Sequence, residues 1–324
     1  MIVGDVEILP LAAETMGVRS LCTVVVTPDL RILFDPSAGL AKRYGLEPHP
    51  LEYKALQSCL ERIFVEARKA DVLSISHYHY DHVRPGFTNF RYNFSSREEL
   101  QRMFENRLVL AKDNRENINP SQRRRGYYFE KDVEDVVTAI KWSDGKRFRF
   151  EDTMLTYSPA LSHGPKSSPL GYVVATCVEY GSIRIVFAPD VQGPVEQETT
   201  DVLLSMNPDL MIVGGPPIYL HVFTDEHRAA ARASLCRLAA VVPILAVDHH
   251  LQRSPSWRRW LSPVYGSAEE NGNQVTTLAA LAGKDVQCLE AERQLLYQTR
   301  PPSDEFRIWT EATDEYKDSH MPPL

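Results

Sequence analysis

The sequence predicts an α/β protein built from two mixed β-sheets packed face to face, with helices outside. Three observations carry this reading. Strand-like stretches open the chain with no helix between them, and strands alternate with helices afterwards. A hairpin in each half argues against an all-parallel sheet.

The elements follow in order. "VEILPLA" and "CTVVVTPDLRILFDP" are apolar and β-branched, and the Pro28-Asp29 turn makes the second a hairpin. After Pro50, the positions of Leu56, Leu60, Ile63, Phe64 and Ala67 predict an amphipathic helix. "DVLSIS" reads as a short buried strand. Residues 84–142 break the pattern, being polar, aromatic-rich and basic in the middle, and read as an insertion of short helices and loop. "RFRFEDTMLTYSPALSH" restores strands, and "GYVVATCVEYGSIRIVFAPD" is a hairpin turning at Tyr180-Gly181. "PDLMIVGGPP" is a strand, "DEHRAAARASLCRLAAVV" a helix and "PILAVDHH" a strand; helices close the chain over about 274–298. The Pro- and charge-rich tail from Arg300 reads as loosely held. The whole, 1–324, is expected to form a single domain.

Composition is that of a soluble globular protein, with 43% hydrophobic and 24% charged residues. A net charge of -7 gives no global case for nucleic acid. Cys22, Cys59, Cys177, Cys236 and Cys288 are scattered and form no C-x-x-C pair, so they read as buried hydrophobes in a reducing cytosol. The opening residues carry Asp5 and Glu7 and no basic leader, and no run reaches the roughly 18 apolar residues of a membrane span. The expectation is a cytoplasmic protein without a membrane partner.

Chemistry gathers where strands end. "SIS" leads into His77, His79, Asp81 and His82; "LTYSPALS" into His163; "RIVFAP" into Asp190; "PILAVD" into His249 and His250. His77 and His79, two apart on an extended segment, face the same way. Asp81 and His82 follow where the chain turns, so one segment can serve two adjacent cations. Imidazole and carboxylate suit zinc, iron or manganese without thiolate. A histidine-rich surface loop would not explain the series at three further strand ends.

The intact H-x-H-x-D-H run, His77 to His82, followed by a histidine, an aspartate and a last histidine at strand ends, resembles the metallo-β-lactamase-fold superfamily. "GVRSLCTVV", "NINPSQRRR" and "FAPDVQGP" look more narrowly like an uncharacterised branch of predicted archaeal metallo-hydrolases, which supplies no substrate. The resemblance implies a four-layer αββα sandwich and a hydrolase using a metal-bound hydroxide at a dinuclear centre. It implies that His77, His79 and His163 hold one divalent ion, Asp81, His82 and His249 the other, and that Asp190 bridges. Zinc is the expected metal. His250 competes with His249, which follows its strand at the family's spacing. Asp35 matches the early aspartate beneath such centres, and Asp248 is a further supporting candidate. Asp81 or Asp190 would orient the attacking hydroxide and accept a proton.

Arg123, Arg124, Arg125 and Lys166 suggest an anionic substrate, a phosphodiester or single-stranded nucleic acid. "GGPP" lacks the lysine of a phosphate loop. His221 and His227 read as surface or packing residues; His49 and His320 read as exposed. Three alternatives stand beside the phosphodiesterase reading. One is a lactone or thioester hydrolase. Another is a di-iron redox protein, against which His79 stands where the resembling reductases carry glutamate. The third is a non-catalytic binding module.

Overall fold

Hairpins begin both sheets, and parallel strands finish them. The computed structural model describes residues 1–324. In the first sheet β1 (Ile2–Val3), β2 (Val6–Pro10), β3 (Thr23–Val26) and β4 (Arg31–Phe34) are antiparallel neighbours. Then β5 (Val72–Ile75), β6 (Leu108–Ala111) and β7 (Ala139–Trp142) add on in parallel. β8 (Arg147–Phe150) and β9 (Thr153–Tyr157) open the second sheet, and β10 (Leu161–Ser162) pairs separately with β11 (Tyr172–Val173). β12 (Thr176–Tyr180) lies antiparallel between β9 and β13 (Ile183–Ala188). β14 (Leu210–Gly214), β15 (Ile244–Asp248) and β16 (Gln274–Thr276) complete it in parallel.

Alternation makes the two sheets face each other. Ile8, Val24, Ile32 and Leu73 of the first sheet share one core with Val178, Ile185 and Ile212 of the second. Phe34 and Phe187 stack across the gap at 4.9 Å. α1 (Pro50–Ala67) joins this core through Leu56, Leu60 and Ile63. A second core forms where α5 (Asp225–Val241) and α7 (Ser262–Glu269) cover Met211, Val213 and Leu245. α4 (Gln197–Ser205), α6 (Trp257–Trp260) and α8 (Leu278–Leu281) are short connecting helices.

Several stretches differ from the sequence expectation. Residues 84–142 do carry helices, α2 (Arg97–Phe104) and α3 (Pro120–Val133), but they also supply β6 and β7 to the first sheet. The basic run lies on α3. Asn119 caps it, accepting from Gln122 N, and Pro120 occupies the first turn. Its inner face is Gln122, Gly126, Phe129 and Val133, at helical spacing but half of it without an apolar side chain. Gln274–Thr276 is a strand and not the start of a helix, because it pairs with β15; α9 (Leu289–Thr299) is helical as read. The tail is held by α10 (Asp304–Glu311) and α11 (Asp314–Ser319). Phe306 and Trp309 pack edge-on to Tyr53, and buried Lys317 pairs with buried Glu47. His49 is buried and caps α1, its Nδ1 accepting from Leu51 N.

Gly126 lets α3 lie against the histidine-rich segment. A Cβ there would stand 2.9 Å from the Tyr78 ring and 2.7 Å from Asn114 Cβ. Gly→Ala inside a helix normally gains up to about 1 kcal/mol. Here overpacking reverses the sign, so Gly126→Ala is expected to cost about 1–3 kcal/mol in chemical denaturation. A gain in stability would show that α3 is free to move off Tyr78.

Candidate metal centre

The parallel strands deliver the functional side chains to one edge. Asp35 follows β4, the His77 to His82 segment follows β5, Asp190 follows β13 and His249 follows β15; His163 leaves the β10–β11 hairpin. The chain turns within the motif because His82 N and Val83 N both donate to His79 O. Asp35, Asp190 and His249 adopt φ of 47°, 48° and 79°, a region non-glycine residues rarely occupy. Their surroundings hold them there. Asp248 anchors the His249 turn, accepting from His249 N, Thr15 N, Thr15 Oγ1 and Leu278 N. At Gly214 a Cβ would lie 2.5 Å from Asp190 N, so only glycine admits that backbone.

Four overlapping clusters bring their donor atoms within 4.8 Å of one another. Two match the expected sets, His77, His79, His163 and Asp190, and Asp81, His82 and His249; the others are Asp35, His77 and His82, and Asp190, His249 and His250. Asp190 touches both expected sets. Its Oδ2 lies 2.9 Å from His163 Nε2, 3.2 Å from His77 Nε2 and 3.4 Å from His82 Nε2; its Oδ1 lies 3.2 Å from His249 Nε2. His82 Nε2 and His249 Nε2 face each other at 3.3 Å, and Asp81 Oδ2 is 3.5 Å from His249 Nε2. His250 Nδ1 is more distant, 3.9 Å from Asp190 Oδ1.

Electrostatics favour lone pairs inside. Burial pushes the His77 imidazole down to about 4, and the His82 charge adds to this. Burial, then His77 and His163, hold His79 well below the ordinary range. Burial alone would raise Asp81 and Asp190, but His82 and His249 hold both carboxyls well below the usual carboxylate range. His82 is opposite: burial would lower it, yet Asp190 and Asp35 hold it well above. Buried carboxylates thus draw positive charge onto the one imidazole that lies between two of them, Asp35 at 2.8 Å and Asp190 at 3.4 Å. His77 Nε2 and Asp190 Oδ1 are enclosed without a hydrogen-bond partner. Ionised carboxylates, the depressed imidazoles of His77, His79 and His249, and orphaned inward atoms fit divalent cations, and a cation would displace the proton that the carboxylates hold on His82.

Outer partners orient the rings. Ser76 Oγ donates to Asp35 Oδ2 at 2.6 Å and presents its lone pair to His77 Nδ1 at 2.9 Å. His82 Nδ1 donates to Asp35 Oδ2 at 2.8 Å. Asp35 therefore fixes one ring of each set with Nε2 inward. Gln192 sets its amide 3.3 Å from His163 Nδ1. A flipped amide offers its oxygen there, since amide orientation follows the hydrogen-bond network. His249 is the exception: Arg253 Nη2 lies 3.3 Å from its Nδ1, and Glu14 Oε2 lies 3.9 Å away.

The proposed anion contacts do not converge. Successive helical residues point about 100° apart. Arg123 and Arg124 stay exposed on α3, and Arg123 Nη2 donates to Arg115 O. Arg125 alone reaches the motif, its guanidinium 4.5 Å over the Tyr80 ring. Lys166 is an exposed partner of Glu198. Sequence reasoning missed Ser76 and Gln192, which lie within two residues of a donor and were findable there. It also missed Glu14 and Arg253, 239 positions apart, which no local pattern links.

The chain matches the family described as the Beta-lactamase superfamily domain over residues 30–215. It is 39% identical over 297 residues to a UPF0282 protein of Pyrobaculum aerophilum, covering 91% of this chain and 96% of the relative. It is 38% identical to a UPF0282 protein of Methanopyrus kandleri, covering 90% and 98%. A variant of the β-hydroxylase CmlA is similar in structure, with TM-score 0.51 and 14% identity over 86% of this chain. This chain spans 53% of that protein's length, and the likeness concerns the fold alone. No helix is long and apolar enough to cross a membrane.

Asp35→Ala would orphan the buried donors Ser76 N, Ser76 Oγ and His82 Nδ1. The chelator-treated variant is expected to lose at least about 2 kcal/mol of unfolding free energy. Wild-type stability in that experiment would mean that the carboxylate does not hold the motif.

Proposed function

The chain belongs to the β-lactamase superfamily and to the UPF0282 family, and from that premise we propose that it is a dinuclear metal-dependent hydrolase of phosphodiesters. The observation that carries the reading is Asp190, whose two oxygens lie within 3.4 Å of imidazoles from both donor sets. In this reading His77, His79 and His163 hold one cation, Asp81, His82 and His249 the second, and Asp190 is shared. An imidazole and carboxylate set without thiolate favours zinc, with iron or manganese as competitors. When bound, such cations lower the pKa of a coordinated water towards neutrality and polarise the scissile group.

The protein's own residues divide the remaining work. Asp190 is enclosed, whereas the Asp81 side chain keeps 20% of its surface open. Asp81 is therefore the carboxylate that reaches an attacking water, and its depressed pKa suits it to orient that water rather than to keep a proton. His250 lies at the same edge. Burial, then Arg253 and His249, hold its imidazole well below the ordinary range, so it offers a lone pair there and does not keep a proton.

Support for a substrate class comes from a cavity of about 210 Å³ beside Gln192. Its walls leave the centre directly: Pro165 and Leu170 follow His163, Gln192 follows Asp190, and Pro217 and Leu220 follow β14. No Lys, Arg, Asp or Glu lines it. The pocket suits an uncharged, aryl-sized group, and the phosphodiester charge is left to the cations. The same uncharged lining favours a lactone or thioester as the second reading.

Zinc-loaded protein is expected to hydrolyse chromogenic diaryl phosphodiesters with higher kcat/KM than lactones or thioesters. Turnover of only the acyl substrates would favour the second reading. Elemental analysis is expected to show that His249→Ala loses one metal equivalent and His250→Ala less; the reverse ranking would exchange their roles.

A further inference from the structure

Of the five imidazoles in the two donor sets, His77, His82 and His163 turn their outer nitrogen to a group that can accept its proton: Ser76 Oγ, Asp35 Oδ2 and, with its amide oxygen turned inward, Gln192. His249 turns its outer nitrogen to a guanidinium, which can only donate. Arg253 cannot swing away. It is buried, its Nε donates to Glu14 Oε2 at 2.7 Å, and its Nη1 donates to Tyr219 OH at 3.4 Å. Its Nη2 lies 3.4 Å from His249 Nε2 and 3.6 Å from Asp81 Oδ2, two of the three donors of the second set.

We propose that Arg253 makes the two cation positions unequal, so that the His77, His79, His163 and Asp190 set fills first and the Asp81, His82 and His249 set fills only at higher metal concentration. This rests on the metal reading given above. The guanidinium places a fixed positive charge beside the donors that a second cation needs, at nearly equal distance from both nitrogens of the His249 ring. Glu14 offsets part of the charge only when ionised, and burial pushes its carboxyl up to about 8. At 3.9 Å from His249 Nδ1, its carboxylate is also the one acceptor that a modest movement would bring to that nitrogen. Glu14 and Arg253 together set the threshold of the second position. The first set has no guanidinium at its donors, so Arg253 leaves it unaffected.

The test is zinc titration of chelator-stripped protein, read by calorimetry and by competition with a chromophoric chelator. Wild type is expected to show one tight and one weak equivalent, with affinities at least about tenfold apart, as a unit charge this close to a divalent cation dictates. Arg253→Lys keeps the charge and is expected to keep the weak equivalent. Arg253→Gln is expected to tighten the weak equivalent at least about tenfold and to leave the tight one unchanged. Glu14→Gln/Arg253→Gln removes the guanidinium and its carboxyl partner; it keeps the test readable if the single variant unfolds, and is expected to tighten the weak equivalent too. Two equally tight equivalents in wild type, or a weak equivalent unmoved in the folded neutral variants, would overturn the inference while leaving the metal reading intact. No zinc uptake by wild type, with His163→Ala indistinguishable from it, would instead remove the metal reading on which the inference stands.

Discussion

A single buried carboxylate organises this molecule. Asp190 lies among His77, His82, His163 and His249, which come from strand ends of both sheets and from the hairpin between them. Enclosing Asp190 and Asp35 beside the partly open Asp81 removes two carboxylates from bulk water, at a cost of several kcal/mol for each charge unless partners compensate. The scaffold supplies those partners at fixed places. Left-handed backbone at Asp35, Asp190 and His249, and the missing Cβ at Gly214, are the local strains this convergence imposes. They persist because the sheets on either side over-determine them, as the four hydrogen bonds to Asp248 illustrate.

Sheet architecture explains why the donors meet. Each sheet is antiparallel at its hairpin end and parallel where β4, β5, β13, β14 and β15 run. Parallel strands finish at the same edge, so the loops after them share one surface. This made the centre legible in the sequence. The H-x-H-x-D-H run is local, and each further donor follows an apolar strand by one or two residues. The choice of His249 over His250 rests on strand spacing; His249 Nε2 lies 3.2 Å and His250 Nδ1 3.9 Å from Asp190 Oδ1, and both rings stay within reach of that carboxylate.

Other features were hidden for physical reasons. The inner face of α3 contains Gln122 and Gly126, so hydrophobic periodicity could not reveal it. The tail packs through Phe306, Trp309 and Lys317, and the last is buried only because Glu47 and Thr310 O receive its ammonium. Such contacts appear in composition merely as charge. Three adjacent arginines looked like a patch because a string of letters has no direction; a helix sends them three ways, and only Arg125 finds Tyr80.

The charges behind the second donor set give the C-terminal helices a chemical role. Arg19 and Arg43 both pair with Glu290 of α9, and Arg43 Nη1 also donates to Arg253 O. With Glu14 on Arg253, the cluster sets three guanidiniums, Arg19, Arg43 and Arg253, against two carboxylates, Glu14 and Glu290. The excess positive charge is not stranded, because Asp81 stands 3.6 Å from Arg253. Asp81 is thus claimed from two sides, by the inner donor set and by a network that reaches α9. In the dinuclear reading, a second cation would enter in competition with that network rather than into empty negative charge. The same carboxylate cannot satisfy both fully, and this competition is the physical reason to expect that metal loading depends on residues far from either donor set in the chain.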